Sequence, residues 1–118
     1  MQVNTPTIRT LKEWETYKTQ TAESVLLQCG SPVCTRCPAF TEAIDGLKKD
    51  WKFVHVYVNT HDTEEDLLEE LQVTQLPAYV LLSVRDQEQA KGQNADPAEV
   101  EVAIRTLCTP VFTMDADF

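Results

Sequence analysis

"SVLLQCGSPVCTRCPAF", residues 24–40, holds an apolar run, a turn and two cysteines three positions apart. Ser24–Gly30 has the length and composition of a buried strand. Gly30-Ser31-Pro32 is a turn signal. From Thr35 to about Lys49 the pattern is helical, with Phe40, Ala43, Ile44 and Leu47 on one face. Cys34-Thr35-Arg36-Cys37 therefore falls where a strand hands over to a helix. At or near the N-cap, Cys34 meets the positive end of the helix dipole and unpaired backbone N–H groups. Both favour thiolate, the nucleophilic form of cysteine. Cys37 is within reach to resolve a mixed disulfide, and Arg36 adds a nearby cation. Pro38 falls in the first helical turn, where its missing N–H is not needed.

A CxxC alone is open between a redox pair, half a metal site and chance. Cys29-x4-Cys34-x2-Cys37 with Cys108 downstream also reproduces the first three ligands of plant-type ferredoxin spacing. Gly30–Val33 and the long gap to Cys108 do not suit that family. Cys29 reads as a small hydrophobe inside a strand and Cys108 as a bystander at a helix end.

Outward from this stretch, strands and helices alternate. Thr10-Leu11-Lys12-Glu13 is a capping box that starts a helix running to about Thr19, with Leu11 and Trp14 inward. A first strand at residues 2–8 can precede it. Residues 52–59 read as a strand, 63–73 as a short acidic helix with Leu67, Leu68 and Leu71 inward, 78–84 as a strand and 88–92 as a short edge strand. Asp96-Pro97-Ala98-Glu99 opens the last helix as N-cap, N1 and box glutamate, and Pro110 ends it. The order predicts an α/β domain: a mixed sheet of four to five strands with helices on both faces. No repeat or second domain is apparent. Residues 1–108 form the expected domain and 109–118 an extended tail.

The chain has 118 residues, enough for one core. Asp and Glu number 19 against 10 Lys and Arg, with no basic patch, which argues against a nucleic-acid partner. The acidic run Glu64, Glu65, Asp66, Glu69, Glu70 reads as a solvated helix face. No apolar run is long enough to span a membrane, and the N-terminus lacks the apolar segment of a signal peptide. An intracellular, cytoplasmic protein without membrane contact is expected. His55 and His61 read as strand and loop residues, and Phe53, Tyr57 and Tyr79 as core. No metal or cofactor is assigned.

Forty residues after Cys37, Thr74-Gln75-Leu76-Pro77-Ala78-Tyr79 places a proline at the start of a strand. With the CxxC at a strand-to-helix turn, this resembles the thioredoxin family, over nearly the whole of residues 1–108. The resemblance implies that Leu76–Pro77 is cis, that Pro77 lies against the CxxC and helps bind substrate backbone, and that the chain is a protein-disulfide reductase. Three positions depart from the family pattern. Val33 stands where a tryptophan is usual, Gln28 where a buried aspartate assists proton transfer, and His55 where a lysine is often found. Glutaredoxins also carry such a pair, but no double-glycine signal follows the fourth strand.

The chain closes on Phe112-Thr113-Met114-Asp115-Ala116-Asp117-Phe118. This resembles the tail of the small subunit of class I ribonucleotide reductase, with Met114 in place of a leucine. In that family the tail docks on the large subunit. Phe112, Met114 and Phe118 suit apolar pockets, while Asp115 and Asp117 can meet basic groups. The combined expectation is a dithiol protein that docks on the large subunit and reduces its disulfide. Cys34 is nucleophile, Cys37 resolver, Arg36 thiolate support and Pro77 substrate orienter. Its own upstream reductant would be a thioredoxin reductase or the glutathione system. Two other readings are a redox-independent module that competes with the small subunit, and a general thioredoxin- or glutaredoxin-like reductant. A tail of this kind on a divergent redoxin also suits a virus that manipulates nucleotide supply.

Overall fold

In the computed structural model, which describes residues 5–20, 23–83 and 89–111, the apolar run is strand β1 (Val25–Gly30), with every residue buried. Burial on both faces explains why it reads as continuous rather than alternating. β1 pairs in parallel with β3 (Val54–Asn59) and antiparallel with β4 (Ala78–Leu82), and β4 pairs antiparallel with β5 (Gln89–Gln93). The sheet order is β3-β1-β4-β5, so the expected mixed sheet has four strands and β5 is an edge.

Helices α2 (Cys37–Leu47) and α4 (Pro97–Leu107) cover one face. Phe40, Ile44 and Leu47 of α2 meet Leu26, Tyr79, Val100 and Ile104 there. Helices α1 (Leu11–Gln20) and α3 (Glu65–Leu71) cover the other face, where Trp14, Leu67 and Leu71 pack on Val25, Leu27, Cys29, Val56 and Val58. Full burial of each such aliphatic or aromatic side chain stabilises the fold by about 1.5–3 kcal/mol.

Local signals worked at both capped helices. Thr10 Oγ1 accepts from Glu13 N at 3.1 Å, and Glu13 Oε1 accepts from Thr10 N at 3.1 Å. Asp96 caps α4 by accepting from Glu99 N at 3.0 Å. The Glu99 carboxylate, expected to complete a box, instead accepts from Tyr79 Oη at 3.3 Å. The acidic face of α3 is exposed as expected, and Glu64 also accepts from Leu11 N at 2.8 Å, tying α3 to α1.

Several boundaries move. The helix expected from Thr35 begins at Cys37, because residues 34–37 form a turn closed by Cys37 N donating to Cys34 O at 3.3 Å. The acidic helix stops at Leu71, where Gln72 turns left-handed (φ 56°). Residues 52–59 are not one strand: Phe53 separates β3 from β2 (Trp51–Lys52), which pairs antiparallel with β6 (Thr109–Pro110) in a second small sheet. Val111 N also donates to Asp50 O at 2.8 Å, so the described chain stays on the folded body to Val111. Of the expected first strand, Thr7 makes a parallel bridge with Tyr57, while residues 1–4 lie outside the described residues. Strand β4 ends at Leu82, and Val84 lies outside them too. No helix among the described residues is long and apolar enough to cross a membrane.

Candidate active site

β1 ends at Gly30 beneath the turn that opens α2. Cys34 N donates to Ser31 O at 3.2 Å, and Arg36 is the N-cap of α2. Cys34 thus lies before the cap rather than on it, and Cys37 is the first helical residue. The two sulfurs form a disulfide, with the Cα atoms 5.4 Å apart. They are unequal in access: Cys37 is 5% exposed, while Cys34 is half-buried. A client can reach Cys34 more readily than Cys37. Val33, beside it, is 72% exposed and offers an apolar contact at the rim.

Arg36 turns its guanidinium across the surface. One terminal nitrogen donates to Asn94 Oδ1 and the other to Ala95 O at 3.0 Å. Ala95 N in turn donates to Pro77 O at 3.0 Å. One residue, Ala95, therefore links the CxxC arginine to the proline at the head of β4. Leu76–Pro77 is cis, as the resemblance implies. Asn94, between β5 and α4, adopts a left-handed backbone (φ 51°) that asparagine tolerates better than most residues. Nothing in the local sequence marked Asn94 and Ala95 as partners of a residue 58 positions away.

The disulfide borders an open groove of about 390 Å³ lined by Gln28, Cys34, Cys37, Thr41, His55 and Tyr57, among others. Tyr57, expected in the core, is a half-buried wall residue here. A Cβ built on Gly30 would lie 2.6 Å from Tyr57 Oη and 3.2 Å from Cys37 Sγ, so glycine is what lets these groups approach the backbone. Burial, and then the neighbouring Cys29, push the Tyr57 hydroxyl above its ordinary range, so it remains a donor at neutral pH.

Gln28 and His55, the two departures within the sheet, bond to each other: His55 Nε2 is 2.9 Å from Gln28 Oε1. Gln28 Nε2 donates to Thr41 Oγ1 at 2.7 Å. Burial, then the positive charge of Lys48, lowers the His55 pKa from 6.5 to about 4, with Asp45 opposing. His55 is therefore neutral at pH 7. His61 is an exposed loop residue.

The four cysteines do not converge. Cys29 packs under the α1–α3 face and Cys108 under the α2–α4 face, on opposite sides of the sheet. Burial raises the Cys29 thiol to about 12 and the Cys108 thiol to about 11, the latter opposed by a hydrogen bond with Ser24. Both are structural thiols held far from ionisation. The ferredoxin-like reading of their spacing is set aside by this geometry. Residues 112–118, including Phe112, Met114, Asp115, Asp117 and Phe118, lie outside the described residues.

No family model matches the chain, and no curated protein sequence matches it. Solved structures do. Mitochondrial thioredoxin 3 of Saccharomyces cerevisiae in its oxidised form matches with a TM-score of 0.69 at 21% identity, covering 87% of this chain and 95% of that one. Chloroplastic thioredoxin z matches with a TM-score of 0.73 at 13% identity, over 91% and 96%. Schistosoma mansoni thioredoxin matches with a TM-score of 0.70 at 14% identity, over 85% and 92%. The chain has the thioredoxin fold, a mixed four-stranded sheet between two pairs of helices, with a Cys34–Cys37 disulfide where β1 gives way to α2.

Proposed function

We propose that this chain is a protein-disulfide reductase that works through Cys34 and Cys37 and is directed to the ribonucleotide reductase large subunit by residues 112–118. The observation that supports the chemistry is the unequal burial of a disulfide at the start of a helix, with a half-buried Cys34 and a buried Cys37. In the reduced protein Cys34 thiolate attacks a client disulfide, a mixed disulfide forms, and the first client thiolate leaves. Cys37 then attacks Cys34 Sγ, the protein disulfide forms again, and the second client thiolate leaves. Val33 and Pro77 flank the client chain. Arg36 contributes positive charge while its head group ties the turn to Asn94 and Ala95. A thioredoxin reductase or the glutathione system restores the dithiol.

The client assignment rests on the resemblance of Phe112–Phe118 to the small-subunit tail. Asp50, which holds Val111, follows the C-terminal end of α2, while Cys37 begins that helix. An 11-residue helix is ~16 Å long, so the tail departs from the end remote from the disulfide. Seven extended residues add at most ~25 Å. A tail docked on the large subunit can serve a client disulfide within that combined reach and raise its effective exposure to Cys34. The same docking competes with the small subunit, so inhibition is the second reading that the tail supports.

Binding to labelled ribonucleotide reductase large subunit, with and without residues 112–118, tests the assignment. Tail-dependent binding with reduction of the large subunit supports delivery. Tail-dependent binding without reduction supports competition. Equal behaviour of the two proteins leaves a general disulfide reductase. Full reductase turnover by Cys34→Ser would remove the nucleophile assignment itself.

A further inference from the structure

Residues 72–77 join α3 to β4 without a helix or strand of their own. Gln72 opens the segment in a left-handed conformation (φ 56°), and Pro77 closes it at the head of β4. Thr74 and Gln75 are exposed, and their N–H groups find no main-chain acceptor among the described residues. One side chain of β5 takes both. Gln93 Oε1 accepts from Gln75 N at 3.0 Å, from Thr74 Oγ1 at 2.9 Å and from Thr74 N. Gln93 Nε2 donates to Gln72 O at 2.8 Å. The amide has only one workable orientation. Turned over, it would set its NH2 against two N–H groups and its oxygen against a carbonyl.

The rest of the β5–α4 corner continues the grip. Gln93 stands opposite Ala78 in the β4–β5 register. Ala95 N donates to Pro77 O at 3.0 Å. Gln93 thus holds the residues before Pro77, and Ala95 holds Pro77 itself. Leu76, between them, makes no main-chain hydrogen bond among the described residues.

We infer that Gln93 is a positioning residue for client binding: its amide fixes Thr74 and Gln75, so that the main chain at Leu76 and Pro77 is already ordered when an extended client segment meets it. The inference deepens the disulfide-reductase reading and rests on it. Gln93 takes no part in the sulfur chemistry. Without it, Thr74 and Gln75 lose their acceptor and the segment samples other backbone conformations. Client binding must then bear the ordering that the native fold has already completed. Apparent affinity falls by the fraction of time the segment is competent. A small disulfide has no backbone to lay along the segment and gains nothing from its order. The Gln93 side chain is exposed, so its removal opens no cavity in either core.

Kinetics on two substrates read this role. The full chain is kept reduced with dithiothreitol and turned over on insulin, whose disulfides lie within polypeptide. In Gln93→Ala the KM for insulin should rise roughly tenfold while kcat holds. The first phase of reaction with dithiobis-nitrobenzoate, a small aromatic disulfide, should not change. Gln93→Glu keeps an acceptor oxygen for Thr74 and Gln75 and loses only the donation to Gln72, so it should restore most of the wild-type KM. An unchanged insulin KM in Gln93→Ala, or equal losses on insulin and on the small disulfide, overturns the inference. A Gln93→Glu variant as impaired as Gln93→Ala overturns the assignment of the acceptor oxygen. Amide hydrogen exchange in the wild-type chain stands whatever the variants do. Slowed exchange at Thr74 and Gln75 is expected, and exchange at the rate of an open chain overturns the clamp. Failure of the wild type itself to reduce insulin would overturn the disulfide-reductase reading instead.

Discussion

His55 Nε2 lies 2.9 Å from Gln28 Oε1, a side-chain bond that joins β3 to β1 inside the protein. The imidazole is held neutral there, with a pKa of about 4 against 6.5 in the unfolded chain. Between these values the unfolded state binds the extra proton, so stability is lost as pH falls from 6.5 to 4. The shift corresponds to roughly 3 kcal/mol over that window. Urea midpoints at pH 7 and pH 4 should therefore fall further in the wild type than in His55→Gln, which cannot titrate. Exposed carboxylates contribute equally to both proteins, so the difference between them is the readout. Parallel pH slopes would show that His55 is not buried as a neutral ring.

Thiol counting gives a second check. Cys29 and Cys108 are buried, with pKa values pushed to about 12 and 11. The oxidised native protein should react with an aromatic disulfide at no fast site. After reduction, fast reactivity should appear at Cys34 and Cys37 alone, and denaturant should be needed to reveal Cys29 and Cys108. Folded-state values above the ordinary 9.0 also mean that stability present below pH 9 is lost as pH rises towards 12. Fast labelling of Cys29 or Cys108 in the native state would contradict their placement in the two cores.

Gly30 lets Tyr57 and Cys37 crowd the end of β1. A methyl group there would sit 2.6 Å from Tyr57 Oη and 3.2 Å from Cys37 Sγ. The ring must move or β1 must bend, and overpacking of this kind costs about 1–3 kcal/mol. Gly30→Ala should lower the urea midpoint and change the dithiol–disulfide equilibrium against glutathione, because the displaced atoms include the resolving sulfur. Gly46, where a Cβ meets nothing within 4 Å, is the control: Gly46→Ala should stabilise α2 by up to about 1 kcal/mol. A neutral Gly30→Ala would mean that the tyrosine swings aside freely.

What was legible in the sequence was what short range decides. The capping box at Thr10 and Glu13, the Asp96 cap and the apolar faces of α2 and α4 each depend on residues within a turn or two. The CxxC and Pro77 were recognisable because each sits at a junction between elements. Pairings across long separations were not legible. Gln28 and His55 were visible as separate departures, and only strand register brings them together, with Gln28 opposite Tyr57 and His55 opposite Leu26 on one face of the sheet. Residues 52–59 looked uniform because β-branched and aromatic residues run through both pieces. The break at Phe53 comes from β6 capturing Trp51 and Lys52, which is a tertiary event.

Arg36 and Asn94 form the contact across the site that is easiest to dissect. Asn94 does two things: it holds a left-handed backbone and accepts from Arg36. Substitutions separate the two. Asn94→Gly keeps the backbone easy and removes the hydrogen bond. Asn94→Ala removes the bond and adds the left-handed penalty of roughly 1–2 kcal/mol. Asn94→Ala should therefore be less stable than Asn94→Gly by about 1 kcal/mol, read from urea midpoints. Both should loosen the loop whose Ala95 N donates to Pro77 O. Client turnover should then fall in both variants by a similar factor, even though their stabilities differ. If turnover instead follows stability, the loop serves folding, and the link from Arg36 through Ala95 to Pro77 does not position the client.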